Sequence, residues 1–257
     1  MKILSLNLHC FAEDDILRNQ DIISDFIIDK DIDVVFLQEV AQSESSKDSK
    51  LNIKSDNYGY VLMNKIRDKG IEYDFHYMYG NLAFGIYQEG LAILSKTKLF
   101  DKEHFFISKK VDYNDWHTRV IVSCKTLLDN KEITLTSAHL GWTEGEEIFE
   151  DQIDRLVSGI KHSGISLLAG DFNVASNSEQ YKYILSKGYQ DVYHNNEMEH
   201  FYTPTHVADM DVHDGKNRID YIFSNTSFKL VDRKIVFTDT LVSDHYGVYV
   251  EIELGGE

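Results

Sequence analysis

The hydrophobic and polar positions of this chain follow two periods, one typical of strands and one typical of helices. At the start, Leu4, Leu6 and Leu8 alternate with polar residues, which predicts a strand with one apolar face. Residues 15–30 place their apolar side chains close to helical spacing and predict a helix. The next run, IDVVFLQEV over 32–40, is apolar and rich in β-branched residues, and it predicts a strand ending in a polar pair.

These patterns continue along the chain and predict many strands with few helices. Further strands are predicted at 71–79, 91–95, 118–127, 132–140, 165–170, 219–224, 229–237 and 246–253. Further helices are predicted at 57–68, 146–162 and 178–187, and the polar run 41–57 is predicted to be an exposed loop. This mixed order favours an α+β fold in which two packed β-sheets are flanked by helices.

Length and composition predict one domain. The chain has 257 residues, of which 42% are hydrophobic, so it is long enough to bury a large core. No repeat and no low-complexity tract is visible, and the single proline and scattered glycines mark no linker. We therefore expect residues 1–257 to form a single domain.

Charge and cysteine content narrow the partners and the compartment. The formal net charge is −17, which disfavours general binding to nucleic acids and adhesion to anionic membranes. Two cysteines, Cys10 and Cys124, are too few for a disulfide framework, and free thiols suit a reducing compartment. The first residues lack a signal-peptide pattern, and no segment approaches the roughly 20 apolar residues of a membrane span. We expect a cytoplasmic protein.

Several predicted strands end in side chains that can bind a metal or carry a proton. These side chains are, in chain order, Asn7, Glu39, Glu89, His139, Asp171 with Asn173, Asp220, and Asp244 with His245. Each has a structural explanation when taken alone; Asp171 and Asn173, for example, could form an Asx-turn or cap the following helix. If the chain stays extended there, these two side chains point to the same side.

Taken together, these side chains suit the hydrolysis of a phosphate ester. That reaction needs a cation, an activated water and a proton for the leaving oxygen. Mg²⁺ prefers oxygen ligands, and the carboxylates and amides at the strand ends supply them, whereas no zinc pattern is present. His139 and His245 are candidate proton carriers, for which Glu89 and Asp220 are available as orienting carboxylates.

The order of these motifs resembles the endonuclease/exonuclease/phosphatase superfamily. The matching elements are Asn7, Gln38-Glu39, YQEG at 87–90, Arg119, His139, GDFN at 170–173, IDY at 219–221 and SDH at 243–245. The resemblance spans about residues 3–252, and the GDxN and SDH elements are its most specific parts. It implies a four-layer α/β/β/α sandwich whose active site lies at one edge, where strand ends from both sheets meet.

The resemblance also implies the metal site. Glu39 matches the principal metal carboxylate, Asn7 lies beside it, and Asp244 matches a carboxylate near the metal. The implied cofactor is Mg²⁺, with Mn²⁺ as an alternative, and both one and two ions stay open.

The same resemblance implies how the phosphate is bound and cleaved. Asp171 and Asn173 match the pair that positions the attacking water and the phosphate, and His245 matches a phosphate-contacting histidine oriented by Asp220. The remaining matches are a second histidine–carboxylate pair, His139 with Glu89, which implies a proton donor to the leaving group, and a phosphate-contacting arginine, Arg119. The general base stays open between Asp171 and His245.

The substrate is a separate question, because the superfamily includes nucleases, lipid phosphatases, sphingomyelinases and sugar phosphatases. The acidic charge disfavours a nuclease of duplex DNA. Trp116, three residues before Arg119, and Trp142, three residues after His139, are candidate walls of a sugar-binding site.

Several short sequence stretches resemble those of the small bacterial maltose 6′-phosphate phosphatases. The similar stretches are NLHCFAEDD, YQEGLAILS, HTRV, SAHLGW, RIDYIF and VSDHYGV. This implies a cytoplasmic, Mg²⁺-dependent phosphomonoesterase that acts on a small phosphorylated sugar, with neither nucleic acid nor membrane as partner. The alternatives are a phosphodiesterase or nuclease of the same superfamily, and a non-catalytic scaffold, against which the intact set of motifs argues.

Overall fold

The computed structural model describes residues 1–49, 51, 53–142, 147–161, 164–194, 204–207 and 218–255. Its strands are β1 (Lys2–Asn7), β2 (Val34–Ser43), β3 (Asp74–Ala83), β4 (Tyr87–Ser95), β5 (Leu99–Phe106), β6 (Val120–Leu128), β7 (Lys131–His139), β8 (Ile165–Asp171), β9 (Gln190–Asp191), β10 (Asp220–Ser224), β11 (Phe228–Val236) and β12 (Gly247–Leu254). Its helices are α1 (Ile16–Asp29), α2 (Tyr58–Asp68), α3 (Phe149–Gly159) and α4 (Glu179–Ser186).

The strands form two mixed sheets of six strands each. The first sheet has the order β11-β12-β1-β2-β4-β3, and the second has the order β5-β6-β7-β8-β10-β9. One neighbouring pair in each sheet is parallel, β1 with β2 and β7 with β8, and the other pairs are antiparallel. The carboxyl ends of the parallel strands therefore lie at one edge of each sheet.

Three apolar layers hold the sheets and helices together. Strand residues of both sheets, such as Phe36 and Leu167, form the layer between the sheets. A second layer joins the first sheet to α1 and α2, through residues such as Leu62. A third joins the second sheet to α3 and α4, through residues such as Leu156 and Tyr181. The predicted four-layer α/β/β/α sandwich is confirmed.

The alternation at the start of the chain forms the predicted strand with one apolar face. Leu4, Leu6 and Leu8 all belong to the layer under the helices, so they share one face of the first sheet. Ile3 belongs to the layer between the sheets, and Asn7 follows it on that opposite face at the end of β1.

Apart from element ends that are shifted by up to four residues, the structure differs from the predicted elements in three places. β5 and β9 were not predicted. β5 is an edge strand whose centre carries exposed charges, which hide its strand period and protect the edge from further pairing. β9 has only two residues. The start of the predicted loop 41–57 instead continues β2 to Ser43, because Ala41 and Gln42 are buried and pair with β4.

Parts of the prediction lie outside the described residues, namely the first and last residues of the predicted helix 146–162. No helix in the described part of the chain is both long and apolar enough to cross a membrane.

Candidate active site

Strand register brings the predicted site residues to one edge of the sandwich. In the second sheet, His139 at the end of β7 pairs with Asp171 on β8, which pairs in turn with Asp220 on β10. In the first sheet, Asn7 at the end of β1 pairs with Gln38 on β2. The two sheets meet face to face, so these strand ends converge.

Local backbone irregularities direct the acidic side chains of the site. The register of β2 shifts between Leu37 and Val40, and Glu39 in this bulge has a φ of 48°. A positive φ is uncommon for a residue with a side chain, and bulges often redirect a functional group. Gly170, with a φ of 146°, precedes Asp171, and a Cβ there would collide with the carbonyl oxygen of Ala138. Only glycine allows β7 and β8 to approach so closely at this point.

Asp171 and Asn173 form the Asx-turn that was one of the predicted alternatives, and Asp171 also faces the site. The backbone N–H of Asn173 donates to Asp171 Oδ1 at 2.9 Å, while Asn173 Nδ2 donates to the carbonyl of Leu140 at 2.9 Å. Asp171 Oδ2 is left to accept from Asn7 Nδ2 at 3.1 Å. One carboxylate therefore fixes the turn and serves the site. The helix cap is Ser178 instead.

Asn7 links carboxylates from both sheets. Its Nδ2 donates to Glu39 Oε1 at 2.9 Å as well as to Asp171. Its Oδ1 accepts from the backbone N–H of His9 at 3.0 Å, which settles the orientation of the amide. Its nitrogen therefore holds two carboxylates in register, while its oxygen, which accepts one backbone hydrogen bond, keeps a second lone pair. The role of Asn7 as a metal ligand stays a prediction.

His245 forms a buried ion pair with Asp220. Its Nδ1 donates to Asp220 Oδ2 at 3.0 Å, and its Nε2 lies 3.7 Å from Asp171 Oδ2. Burial lowers the pKa of His245, but the charges of Asp220 and Asp171 and the hydrogen bond to Asp220 outweigh it and raise this pKa to about 10. This raised pKa favours the imidazolium form of His245, and the choice of general base between Asp171 and His245 stays a prediction.

The pKa of His139 shifts in the opposite direction from that of His245. Its Nδ1 lies 3.6 Å from Glu89 Oε1 and 3.5 Å from Arg119 Nη1, and its Nε2 lies 3.7 Å from Asp171 Oδ2. Burial, together with the positive charge of Arg119, lowers the pKa of His139 to about 4. This lowered pKa favours the neutral imidazole, which carries one N–H, and the predicted role of His139 as proton donor stays a prediction.

Asp244 lies in a cluster that sequence reasoning missed. Its Oδ1 is 3.5 Å from His9 Nδ1, which is 2.8 Å from Glu13 Oε1. Burial raises the pKa of Asp244, and the nearby Glu39 raises it further. His9 joins this cluster because its φ of 51° turns the chain after β1, a feature that no residue pattern signals.

Cys10 lies between two of the predicted carboxylates. Its buried Sγ is 3.7 Å from Glu39 Oε2 and lies within 4.8 Å of a carboxylate oxygen of Glu89. Burial, followed by the charges of Glu89 and Glu39, raises the pKa of Cys10 well above its ordinary value, so the thiol stays protonated.

Thr205 holds the strand end that carries Asp220, and it was also missed. Its Oγ1 accepts from the backbone N–H groups of Ile219 and Asp220 at 3.0 and 3.1 Å. Its carbonyl accepts from Tyr246 N at 2.8 Å, which places the segment 204–207 alongside His245.

The predicted substrate-binding residues differ in exposure. Arg119 is buried, with only 6% of its surface exposed, and contacts His139. Trp116 and Trp142 are 47% and 41% exposed, and their rings pack edge to face with centroids 5.7 Å apart. His117 packs against Trp116. The structure thus joins the loop before β6 and the loop after β7 through an exposed aromatic pair.

The donor set fits a divalent cation. In the described residues, three groups of side chains have ligand atoms within 4.8 Å of one another: His9, Glu13 and Asp244; Cys10, Glu39 and Glu89; and Asp171, Asp220 and His245. Glu39 and Asp171 present carboxylate oxygens to the same Asn7 nitrogen, so negative charge is concentrated between the sheets. Carboxylate oxygens are the ligands that Mg²⁺ and Mn²⁺ prefer.

The comparisons with known proteins agree with this fold. The model of the endonuclease/exonuclease/phosphatase family matches residues 4–245. The chain therefore belongs to the endonuclease/exonuclease/phosphatase family, as its motifs predicted. No curated protein sequence matches it.

Solved structures share the fold over the whole chain. A family protein from Leptotrichia buccalis is 29% identical, with 98% of this chain and 99% of that chain covered and a TM-score of 0.88. The Bacteroides thetaiotaomicron mannosyl-6-phosphatase Bt3783 is 18% identical, with 98% and 99% covered and a TM-score of 0.68. D. rerio TDP2 complexed with single strand DNA product is 15% identical, with 98% of each chain covered and a TM-score of 0.72.

Proposed function

We propose that this protein is a cytoplasmic, metal-dependent phosphomonoester hydrolase that acts on a phosphorylated disaccharide such as maltose 6′-phosphate. The observation that carries the proposal is the convergence on Asp171 Oδ2. This oxygen accepts from Asn7 at 3.1 Å and lies 3.7 Å from Nε2 of both His139 and His245. This oxygen lies between two imidazoles whose pKa values shift in opposite directions. Such a carboxylate is suited to positioning a water molecule next to a phosphoryl group.

A divalent cation, Mg²⁺ or Mn²⁺, would be held by Glu39, Asn7 and Asp244, with the Asn7 nitrogen also orienting Glu39. When bound, the cation supplies positive charge that offsets the negative charge on the phosphoryl oxygens. The proposal leaves the number of ions to experiment.

The charge states divide the remaining work. His245, an imidazolium fixed by Asp220, binds the phosphate as a cation. We take Asp171 as the general base, because the raised pKa of His245 favours its protonated form. Asn173, held by the turn, positions the phosphate beside it.

His139 becomes the proton donor only when substrate is present. A phosphate dianion bound beside its ring adds negative charge and raises its pKa, while Glu89 orients Nδ1. Arg119 lowers that pKa in the free protein, and pairing with the phosphate weakens this effect. The donor role of His139 therefore depends on proton uptake during substrate binding.

The sugar specificity rests on the exposed aromatic pair. Trp116 and Trp142 together offer apolar ring faces next to polar groups, a combination that binds sugar rings. A mannosyl-6-phosphatase among the structures with this fold, and the resemblance to maltose 6′-phosphate phosphatases, support a phosphorylated sugar.

A phosphodiesterase or nuclease activity is the second candidate. Its support is TDP2, which has the same fold and was solved with a DNA product. The net charge of −17 disfavours it, because a long phosphate backbone would approach an acidic surface.

The deciding experiment measures phosphate release by the purified protein with Mg²⁺ or Mn²⁺. The panel contains phosphorylated mono- and disaccharides, nucleotides and inositol phosphates, with plasmid nicking assayed in parallel. We expect preferred hydrolysis of maltose 6′-phosphate or a close relative, lost on chelation and restored by the metal. Plasmid nicking without release from any monoester would overturn the proposal in favour of the second candidate.

A further inference from the structure

We propose that Asn81 is a positioning residue that holds the Glu89 carboxylate in place for His139, a role that rests on the proposed function of that histidine. Asn81 lies on β3 directly opposite Glu89 on β4, next to a shift of register between Tyr79 and Asn81. It is only 3% exposed. No feature of the sequence pairs these two residues, which are brought together by the register of the two strands.

The amide of Asn81 makes two contacts that bear on the site. Its Nδ2 donates to the backbone carbonyl of Thr118 at 3.2 Å, and its side chain lies opposite Glu89, lines the same cavity and lowers the pKa of that carboxylate. Thr118 is the residue before Arg119. Asn81 therefore ties the strand that carries Glu89 to the chain that carries Arg119.

Glu89 needs such a neighbour because only 13% of its side chain is exposed. Burial raises its pKa, and this effect is opposed by the charge of Arg119 and by the polar side chains of Asn81 and Cys10. The other ionisable groups facing it are His139, at 3.6 Å, His9, and Glu39, which lies in the same cluster. A carboxylate held by fixed donors keeps its direction, and an orienting carboxylate works through its direction.

A small cavity adds a second, independent link. It has a volume of about 10 Å³ and is lined by residues that include Asn81, Glu89, Arg119 and His139. Asn81 Oδ1 and Arg119 Nε both face buried surroundings and have no hydrogen-bond partner in the described part of the chain. A cavity of this size holds one water, which would bridge this acceptor and this donor.

A packing role for Asn81 makes a different prediction from a positioning role. Asn81→Asp keeps the shape but replaces the donor with an acceptor that faces Glu89 and the Thr118 carbonyl. Asn81→Ala leaves a gap but adds no repulsion. Positioning predicts that the aspartate variant is the more damaged of the two in kcat, whereas packing predicts that the alanine variant is.

The test is a double-mutant cycle on kcat, using the phosphate ester that the wild-type protein hydrolyses best. We expect Asn81→Ala to lower kcat about 10-fold with little change in KM, and to have almost no further effect in a Glu89→Ala background. Asn225→Ala is the matched control, because Asn225 Nδ2 also donates to a backbone carbonyl, that of Gly164, at the far end of β10. This control should keep the wild-type kcat.

An activity-independent measurement separates this inference from the proposed function. The ¹⁵N chemical shifts of the His139 ring in the free protein should move in Asn81→Ala and stay unchanged in Asn225→Ala. Unchanged His139 shifts, or effects of Asn81→Ala and Glu89→Ala that multiply independently, would overturn the positioning role. An inactive wild-type protein in which the His139 shifts still respond would overturn the proposed function and leave this contact standing.

Discussion

At the residue scale, the centre of the site is Asp171, whose two carboxylate oxygens have separate tasks. Oδ1 closes the turn to Asn173, and Oδ2 faces Asn7 and the two imidazoles. The charge of Asp171 also raises the pKa of His245 and opposes the lowering of the pKa of His139. A single side chain therefore shapes both the geometry and the protonation of its neighbours.

Asp171→Asn should lower kcat by about 1000-fold or more while the protein stays folded. The amide oxygen can still accept from Asn173 N–H, but the base and its negative charge are lost. Phosphate release and thermal unfolding measure the two effects. Asp154→Asn, on the exposed side of α3, is the control and should keep full activity. A folded Asp171→Asn protein with a near-wild-type rate would remove Asp171 as general base.

The proposed protonation of His139 predicts proton uptake on ligand binding. A phosphonate analogue of the substrate, titrated at about pH 8 in buffers of different ionisation enthalpy, should bind with uptake of up to about one proton. His139→Gln should abolish this uptake, whereas His104→Gln, on the edge strand β5, should retain it. Equal uptake by wild-type and His139→Gln proteins would assign the proton to another group.

The ion pair of His245 predicts a specific dependence of stability on pH. Its folded-state pKa of about 10 lies above the ordinary value of 6.5, so its stabilisation is complete below about pH 6.5 and is lost as pH rises toward 10. The difference in free energy of unfolding between wild type and His245→Gln should therefore shrink by about 2–4 kcal/mol between pH 6 and pH 10. Urea unfolding at several pH values measures it. A difference that grows with pH would contradict the assigned charge state.

At the scale of elements, much of the site followed from where strands end. Apolar runs ending in polar side chains identified the candidate side chains, and the family resemblance implied that they meet at one edge. The structure places the carboxyl ends of its two parallel strand pairs there. What could not be predicted depends on backbone details and register. The bulge at Glu39, the left-handed turn at His9 and the pairing of Asn81 with Glu89 leave no periodic signal. The edge strand β5 escaped prediction because exposed charges interrupt its pattern.

The two loops that carry the exposed tryptophans predict a substrate-specific effect. Trp142→Ala should raise KM for maltose 6′-phosphate about 10-fold and leave KM for p-nitrophenyl phosphate nearly unchanged, because only the disaccharide has a second ring to stack. Steady-state kinetics on both esters provide the measurement. Leu127→Ala, on exposed β6 surface, is the control. Equal increases for both esters would make Trp142 a structural residue only.

At the scale of the whole molecule, an acidic protein is proposed to bind an anionic substrate. The net charge of −17 repels a phosphorylated sugar at long range, while His245 and Arg119 supply positive charge only locally. Salt screens the long-range repulsion more than the short-range attraction inside the site.

Raising the ionic strength from about 0.01 M to 0.15 M should therefore increase kcat/KM roughly twofold or more, at saturating metal. Initial rates at low substrate concentration measure this change. An uncharged osmolyte at the osmolality of the added salt controls for viscosity. A decrease in kcat/KM would mean that local cations dominate the approach of the substrate.

The contact between Asn7 and Asp171 gives this sandwich a mechanical property. The amide belongs to one sheet and the carboxylate to the other, and only 3.1 Å separates their polar atoms. The apolar layer between the sheets is not directional, whereas hydrogen bonds across it, such as this one and that from Gln38 Nε2 to Ser137 Oγ at 3.2 Å, fix how the sheets are aligned. The proposed chemistry at this edge requires the site residues of the two sheets to stay within hydrogen-bonding distance of one another. If one sheet and its helices were displaced relative to the other, these side chains would separate. The proposed hydrolytic activity would therefore require the complete fold.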